Sequence, residues 1–132
     1  MINFGVSFIA IIALIVIGGL FALKMGENPG NEFSDYDALK SSDLISKGWV
    51  PSYIPRSAYE IKETHNPDTN IVRMRFRFEP GDIDIVKQHC GAGVKTNDVT
   101  KFPCPDGTLQ LSDDGNGYFT NDPNDAWQAR DL

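Results

Sequence analysis

Residues 70–78 (NIVRMRFRF) alternate between apolar and basic side chains from Val72 onward. Successive side chains of a strand point to opposite faces, so one face would be apolar and the other would carry three arginines. Grouped cations of this kind can bind an anionic surface, or they can be solvated or paired with carboxylates of the same protein. Together with a lysine of the preceding strand they form the candidate interaction patch, which consists of Lys62, Arg73, Arg75 and Arg77.

A second strand, predicted over residues 58–64, determines what else the arginine face contains. Opposite residues of an antiparallel pair share a face, so placing Ile61 opposite Met74 keeps the apolar side chains together. The same register predicts three further pairs: Tyr59 with Phe76, Glu60 with Arg75, and Lys62 with Arg73. The face would then hold an excess of basic residues over a single glutamate.

The loop between these strands, HNPDTN, is rich in residues typical of turns. Asn and Asp side chains bond nearby backbone groups, so a loop held by the side chains of Asp68 and Asn70 is the structural explanation. A role in recognition is the alternative. The candidate loop residues are His65, Asn66, Asp68 and Asn70.

Cys90 and Cys104 are the only cysteines, and they lie in a stretch punctuated by Gly and Pro. Such a pair in a small domain predicts one disulfide bond and a location outside the cytosol. Closing this loop would stabilise the fold by about 3 kcal/mol. Two unrelated thiols in a cytosolic domain are the alternative, and the absence of a C-x-x-C motif argues against zinc.

Motifs for catalysis or cofactor binding are lacking in the sequence. The two histidines, His65 and His89, have no nucleophile at an indicative spacing. Asp113 and Asp114 lie in a predicted turn without the spacing of an EF-hand. No phosphate-binding glycine loop or dinucleotide fingerprint occurs. A pI near 4.7 argues against nucleic acid. We therefore expect a non-enzymatic protein without cofactor or metal.

Residues 4–23 are uncharged and strongly apolar. A helix of this length, rising about 1.5 Å per residue, spans about 30 Å, which matches the core of a bilayer. A cleaved signal peptide is the alternative, but the basic start and the cleavage site are missing. We predict a transmembrane anchor over residues 1–24 and a linker over residues 25–33. Lys24 weakly favours the opposite orientation, but the cysteines place the domain outside the inner (cytoplasmic) membrane.

The remaining residues, 34–132, predict an α+β domain in which helices pack on one face of an antiparallel sheet. Either one helix capped by Ser34 ends before Gly48, or a turn precedes a shorter helix capped by Ser41 or Ser42. The segment carries Asp35, Asp37 and Asp43, which could cover the arginine face. An extended connector follows, then the first hairpin. A short helix capped by Asp82 would come next, then a hairpin of residues 108–112 and 117–120 and a polar tail with Trp127.

The segment of residues 49–78 carries the pattern W-x-P-x-x-I-P-x-S-A, then H-N-x-D-T-N, then an F-x-F strand. This pattern resembles a segment of small membrane-anchored or exported bacterial cell-envelope proteins of unknown function. The resemblance implies a bacterial envelope domain and brings no ligand or catalytic residue. It covers only part of the chain, and the cysteine loop lies outside it.

These observations favour a single-pass, membrane-anchored envelope protein that acts as an accessory or interaction subunit of a larger membrane protein complex. Its expected partners are the lipid bilayer and integral membrane subunits. An envelope inhibitor or immunity-type binding module is the alternative, because an acidic surface suits a basic partner.

Overall fold

The computed structural model describes residues 30–125. Within them, one antiparallel sheet of seven strands is accompanied by two short helices. The strands are β1 (Asn31–Asp35), β2 (Tyr59–Asn66), β3 (Ile71–Arg77), β4 (Val94–Thr96), β5 (Val99–Cys104), β6 (Gly107–Ser112) and β7 (Asn116–Thr120). The helices are α1 (Tyr36–Ser41) and α2 (Asp84–Cys90). The predicted α+β class with an antiparallel sheet is confirmed.

The strand order across the sheet is β1-β2-β3-β7-β6-β5-β4. Two meanders therefore lie side by side, β1 to β3 and β4 to β7, and the pairing of β3 with β7 joins them. The chain crosses from the first meander to the far edge of the second through α2. Because β3 and β7 are central, their side chains are positioned by neighbours on both sides.

The core lies on one face of the sheet, called here the inner face. Alternate residues of the central strands point inward, and both helices and the connector after α1 pack over them. Burying one large apolar side chain contributes about 1.5–3 kcal/mol, so this face carries most of the apolar stabilisation. The core includes Leu39, Ile54, Met74, Phe76, Val86, Phe102, Leu109 and Phe119. The opposite face is called the outer face.

The chain between residues 31 and 48 differs from the prediction of one helix capped by Ser34. Ser34 lies in β1, where Phe33 is opposite Ile61 and packs against the core. The cap of α1 is Asp35, whose carboxylate accepts from the Ala38 amide at 2.9 Å. Pairing with β2 holds the partly buried Phe33 against the core. The sheet thus begins at Asn31, inside the range predicted as linker.

The chain around α2 is close to the prediction, with one difference in its cap. The helix begins at Asp84, and Ile83 occupies the cap position without a side-chain hydrogen bond. Asp82 instead accepts from the Ser57 amide at 3.0 Å and so ties the connector to the turn before α2. The disulfide between Cys90 and Cys104 is confirmed, with the two Cα atoms 4.6 Å apart.

The register of the first hairpin is shifted by two residues from the predicted one. Met74 is opposite Glu63, and Arg75 is opposite Lys62. The turn explains the shift, because the Asn70 amide bonds the Asn66 carbonyl at 2.8 Å and Asn70 adopts φ 58°. A shift by two preserves the alternation of faces, so the arginines still point outward.

A bulge between Tyr59 and Lys62 changes the start of β2. Glu60 adopts φ 49° there, and Tyr59 lies opposite Arg77 instead of Phe76. Tyr59 is consequently 40% exposed on the outer face, so its prediction as a core residue is wrong. An extra residue in one strand makes the residues before the bulge point to the opposite face of the sheet. The alternation of apolar and polar residues in the sequence does not reveal such a bulge.

Three predicted segments fall partly or wholly outside the described residues: the transmembrane anchor of residues 1–24, the linker of residues 25–33 and the tail with Trp127. Between residues 30 and 125, no helix has the length and apolar character needed to cross a bilayer. The second predicted hairpin is confirmed as β6 and β7. Strands β4 and β5 occupy a stretch that the sequence predicted only as turn-rich.

Candidate functional site

The outer face carries a row of polar side chains that runs across the sheet from β1 to β5. Lys62 on β2 is opposite Arg75 on β3, and Arg75 is opposite Tyr118 on β7. The row continues through residues directly opposite one another on neighbouring strands, and its members are Glu32, Lys62, Arg75, Tyr118, Gln110 and Lys101. Lys62 and Arg75 are exposed, whereas Tyr118 and Gln110 are buried.

Arg73 differs from the other cations of the predicted patch because it is held by two carboxylates. Its Nη2 lies 3.0 Å from Asp122 and its Nε lies 3.0 Å from Asp125. The Tyr118 hydroxyl also donates to Asp125. The hydrogen bond to Asp125 is the main reason that the pKa of Arg73 is raised, and burial is the main reason that the pKa of Tyr118 is raised. Arg73 therefore tethers the segment after β7 to the sheet.

The expected cover by an acidic helix is wrong. Helix α1 packs on the inner face through Tyr36 and Leu39, on the side of the sheet away from the arginines. The carboxylates that reach an arginine come from Asp122 and Asp125, near the end of the described residues.

Among the described residues, Lys62, Arg75 and Arg77 have no acidic partner at ion-pair distance. Within residues 30–125, no carboxylate oxygen lies within 4.0 Å of any of these three side chains. Directly opposite residues of an antiparallel pair have Cβ atoms about 4.5–5.5 Å apart, and like charges at such positions are destabilising. The Lys62–Arg75 pair is therefore a local concentration of positive charge in a protein whose formal charge is -6.

Two hollows adjoin this pair of cations on the outer face. The larger one, about 640 Å³, is bordered by Gly30, Glu32, Thr64 and Tyr118 as well as by the pair itself. The smaller one, about 300 Å³, is lined by Glu60, Arg77 and Asn116 and again by the pair. Lys62 and Arg75 thus stand between two concave regions, from which an anion could approach both side chains.

The candidate loop forms a tight turn whose backbone is bonded on several sides. The side-chain oxygen of Asn66 accepts from the amides of Asp68 and Thr69 at 2.9 and 3.4 Å. The Asn70 carbonyl accepts from the side chain of Asn121 at 2.7 Å. The side chain that holds the turn is therefore Asn66, whereas Asp68 and Asn70 were expected in this role.

His65, the other loop candidate, belongs to a buried polar cluster on the inner face. Glu63 is fully buried, and its two oxygens meet Asn31 Nδ2 at 2.9 Å and His65 Nδ1 at 2.7 Å. The His65 ring stacks on Trp49 with centroids 4.3 Å apart. Sequence reasoning missed Glu63, although it has the same parity as Ile61 and so had to face inward. The cluster joins β1, β2 and the connector, which is a structural role.

The second histidine, His89, stacks on Tyr53 with ring centroids 5.3 Å apart. The pKa of Tyr53 is raised to about 12, chiefly by burial and further by the charge of Asp106. Among residues 30–125, no group of three or more His, Cys, Asp or Glu side chains is arranged to hold a metal ion. Each histidine is thus placed in an aromatic contact.

Fold and surface together define a small antiparallel α+β domain, closed by one disulfide, with a basic region on its outer face. A family model described as the YbbD head domain matches residues 27–77. The match covers α1 and the first meander, including all four residues of the predicted patch, and supports a bacterial type of domain. No curated protein and no solved structure matches the chain.

Proposed function

We propose that the chain is a non-enzymatic, single-pass, membrane-anchored bacterial envelope protein that serves as an accessory or interaction subunit of a larger membrane protein complex. The observation that carries this proposal is the group of exposed cations Lys62, Arg75 and Arg77, which have no acidic partner within residues 30–125. A surface of this kind attracts anionic surfaces and orients the domain as it docks.

The membrane part of the proposal is supported by the sequence. The apolar segment of residues 4–23 has the length of a bilayer core. The disulfide is typical of an oxidising compartment and so favours a domain on the periplasmic, extracytoplasmic side of the inner membrane. A short linker keeps the domain close to the bilayer and to any integral membrane subunit.

Co-purification from native membranes tests this function. The full-length protein is isolated in mild detergent, and its partners are identified by mass spectrometry. The charge-reversed variant combines Lys62→Glu with Arg75→Glu, and a matched control with the same charge change combines Lys40→Glu with Lys87→Glu on the two helices. We expect integral membrane proteins to co-purify with the wild type and with the control. The charge-reversed variant should recover at least fivefold less of them. Recovery of the wild type only as a free monomer would refute the subunit function.

A second candidate, an envelope inhibitor or immunity-type module, is favoured by the opposite charge elsewhere on the domain. Asp37 on α1 and Asp43 in the turn after it are exposed, and Asp43 is paired with Lys47 at 3.5 Å. They could meet a basic hydrolase or toxin. Deleting the gene would then make cells more sensitive to envelope hydrolases or to neighbouring cells, and unchanged sensitivity would exclude this function.

A further inference from the structure

We propose that the larger outer-face hollow binds the phosphate group of an anionic phospholipid headgroup between Lys62 and Arg75. This inference rests on the proposed membrane anchoring and names a ligand for the same basic region. Its occupant is a lipid of the bilayer in which the chain is anchored, with phosphatidylglycerol as the test case. The lipid would hold the outer face against the membrane surface.

The spacing of the two cations suits a single small oxyanion. Lys62 and Arg75 are directly opposite, so their Cβ atoms are about 5 Å apart. A phosphate diester has two unesterified oxygens, one for the ammonium and the other for the guanidinium, whose planar N–H groups match such oxygens well. The bound anion would also remove the repulsion between the two cations.

The other groups that border the hollow are compatible with a polar headgroup. Thr64 is exposed beside Lys62, and its hydroxyl can donate to a phosphate oxygen. Glu32, the cross-strand neighbour of Lys62 on β1, also borders the hollow and can accept hydrogen bonds from the hydroxyls of a glycerol headgroup. Asp125 also borders the hollow, and Arg73, which contacts Asp122 as well, offsets part of its charge.

The position of the hollow relative to the chain favours a lipid over an acidic peptide. Gly30 lines the hollow, and only residues 25–29 separate it from Lys24 at the end of the predicted anchor. Even fully extended, this segment spans about 20 Å. The cations therefore stay within reach of the phosphate layer from which the anchor emerges, where anionic headgroups are always present.

Lysine labelling of the full-length protein in lipid nanodiscs tests the site. Nanodiscs contain either phosphatidylcholine alone or phosphatidylcholine with phosphatidylglycerol, and a neutral acetylating reagent reports the reactivity of each lysine by mass spectrometry. We expect Lys62 to react at least threefold more slowly with the anionic lipid, while Lys87 on α2 changes little. Arg75→Gln should abolish most of this protection, whereas Lys101→Gln, on the same face but near the far edge, should retain it.

Several outcomes would overturn the lipid site. Equal labelling of Lys62 in both nanodiscs would do so, as would equal slowing of Lys62 and Lys87, which would indicate a general surface effect. Protection by inorganic phosphate in phosphatidylcholine nanodiscs, to the extent seen with phosphatidylglycerol, would assign the site to free phosphate. Protection only in native membranes would assign it to an acidic protein. Failure of the chain to enter nanodiscs would instead refute the anchored function.

Discussion

At the scale of single residues, the buried carboxylate of Glu63 is the group that depends most on its hydrogen-bond partners. It is fully buried and bonds both Asn31 and His65. Removing it leaves two half-buried polar groups without their partner and empties a fully buried position, which together cost several kcal/mol. We expect Glu63→Ala to lower the free energy of unfolding by about 2–4 kcal/mol, measured by urea denaturation.

The matched control for Glu63 is Glu32→Ala on the neighbouring strand, where the side chain is exposed. Its effect should stay within about 0.5 kcal/mol. Equal effects of the two substitutions would show that the cluster of Glu63, Asn31 and His65 does not stabilise the fold.

At Tyr53, in contrast to Glu63, we expect a substitution that does not lower the free energy of unfolding. Its hydroxyl is buried and makes no hydrogen bond of ordinary geometry within residues 30–125, although Asp106 lies near enough to influence its pKa. Tyr53→Phe should therefore be neutral or slightly stabilising near pH 7, because it removes an unsatisfied polar group.

The same tyrosine predicts a dependence on alkaline pH. Its pKa is raised from 10.0 to about 12, so ionisation is harder in the folded state than in the unfolded state. Its contribution to stability is complete below pH 10 and is lost as the pH rises toward 12. Between pH 8 and pH 11, the free energy of unfolding should fall less in Tyr53→Phe than in the wild type. Identical losses in both proteins would contradict the assignment, and Tyr59→Phe is the exposed control.

At the scale of elements, the junction of the two meanders depends on close contact between β3 and β7. Phe76 is opposite Gly117, and a Cβ atom at Gly117 would lie 2.3 Å from the Phe76 ring. Gly117→Ala should therefore lower stability by about 2–3 kcal/mol. Gly30→Ala is the control, since its nearest contacts are at 3.4 Å. In a Phe76→Leu background the cost of Gly117→Ala should shrink, and an unchanged cost would contradict the contact.

The disulfide fastens the end of α2 to the end of β5. Closing a loop of this length stabilises by about 3 kcal/mol through the unfolded state. Cys90→Ser with Cys104→Ser should lower the free energy of unfolding by about this amount, and a thiol reductant should destabilise the wild type alone. Equal stability of wild type and double variant would show that the bond is dispensable.

Elements with a strong apolar alternation could be predicted from the sequence, and the others could not. The hairpins β2–β3 and β6–β7 follow from alternation and turn residues. Strands β1 and β4 lie at the two edges and bury few side chains, so they leave a weak pattern. Pro103 in β5 is unfavourable inside a sheet, but β4 pairs only as far as Lys101 and leaves Pro103 without a neighbour on that side.

At the scale of the whole molecule, the charge of the outer face is opposite in sign to the net charge of the chain. The chain carries a formal charge of -6, yet the outer face collects Lys62, Arg75 and Arg77. Parity alone placed these three side chains on one face. The pairing of Arg73 could not be predicted, because its partners lie 49 and 52 residues further along the chain.

Photo-crosslinking in native membranes tests most directly whether the outer face is the contact surface. A photoreactive amino acid is placed at Thr64, which is exposed beside Lys62, or at Gln88, which is exposed on α2. We expect adducts with lipid or integral membrane proteins from position 64 at least five times as abundant as from position 88. Equal or greater yield from position 88 would show that the outer face is not the contact surface.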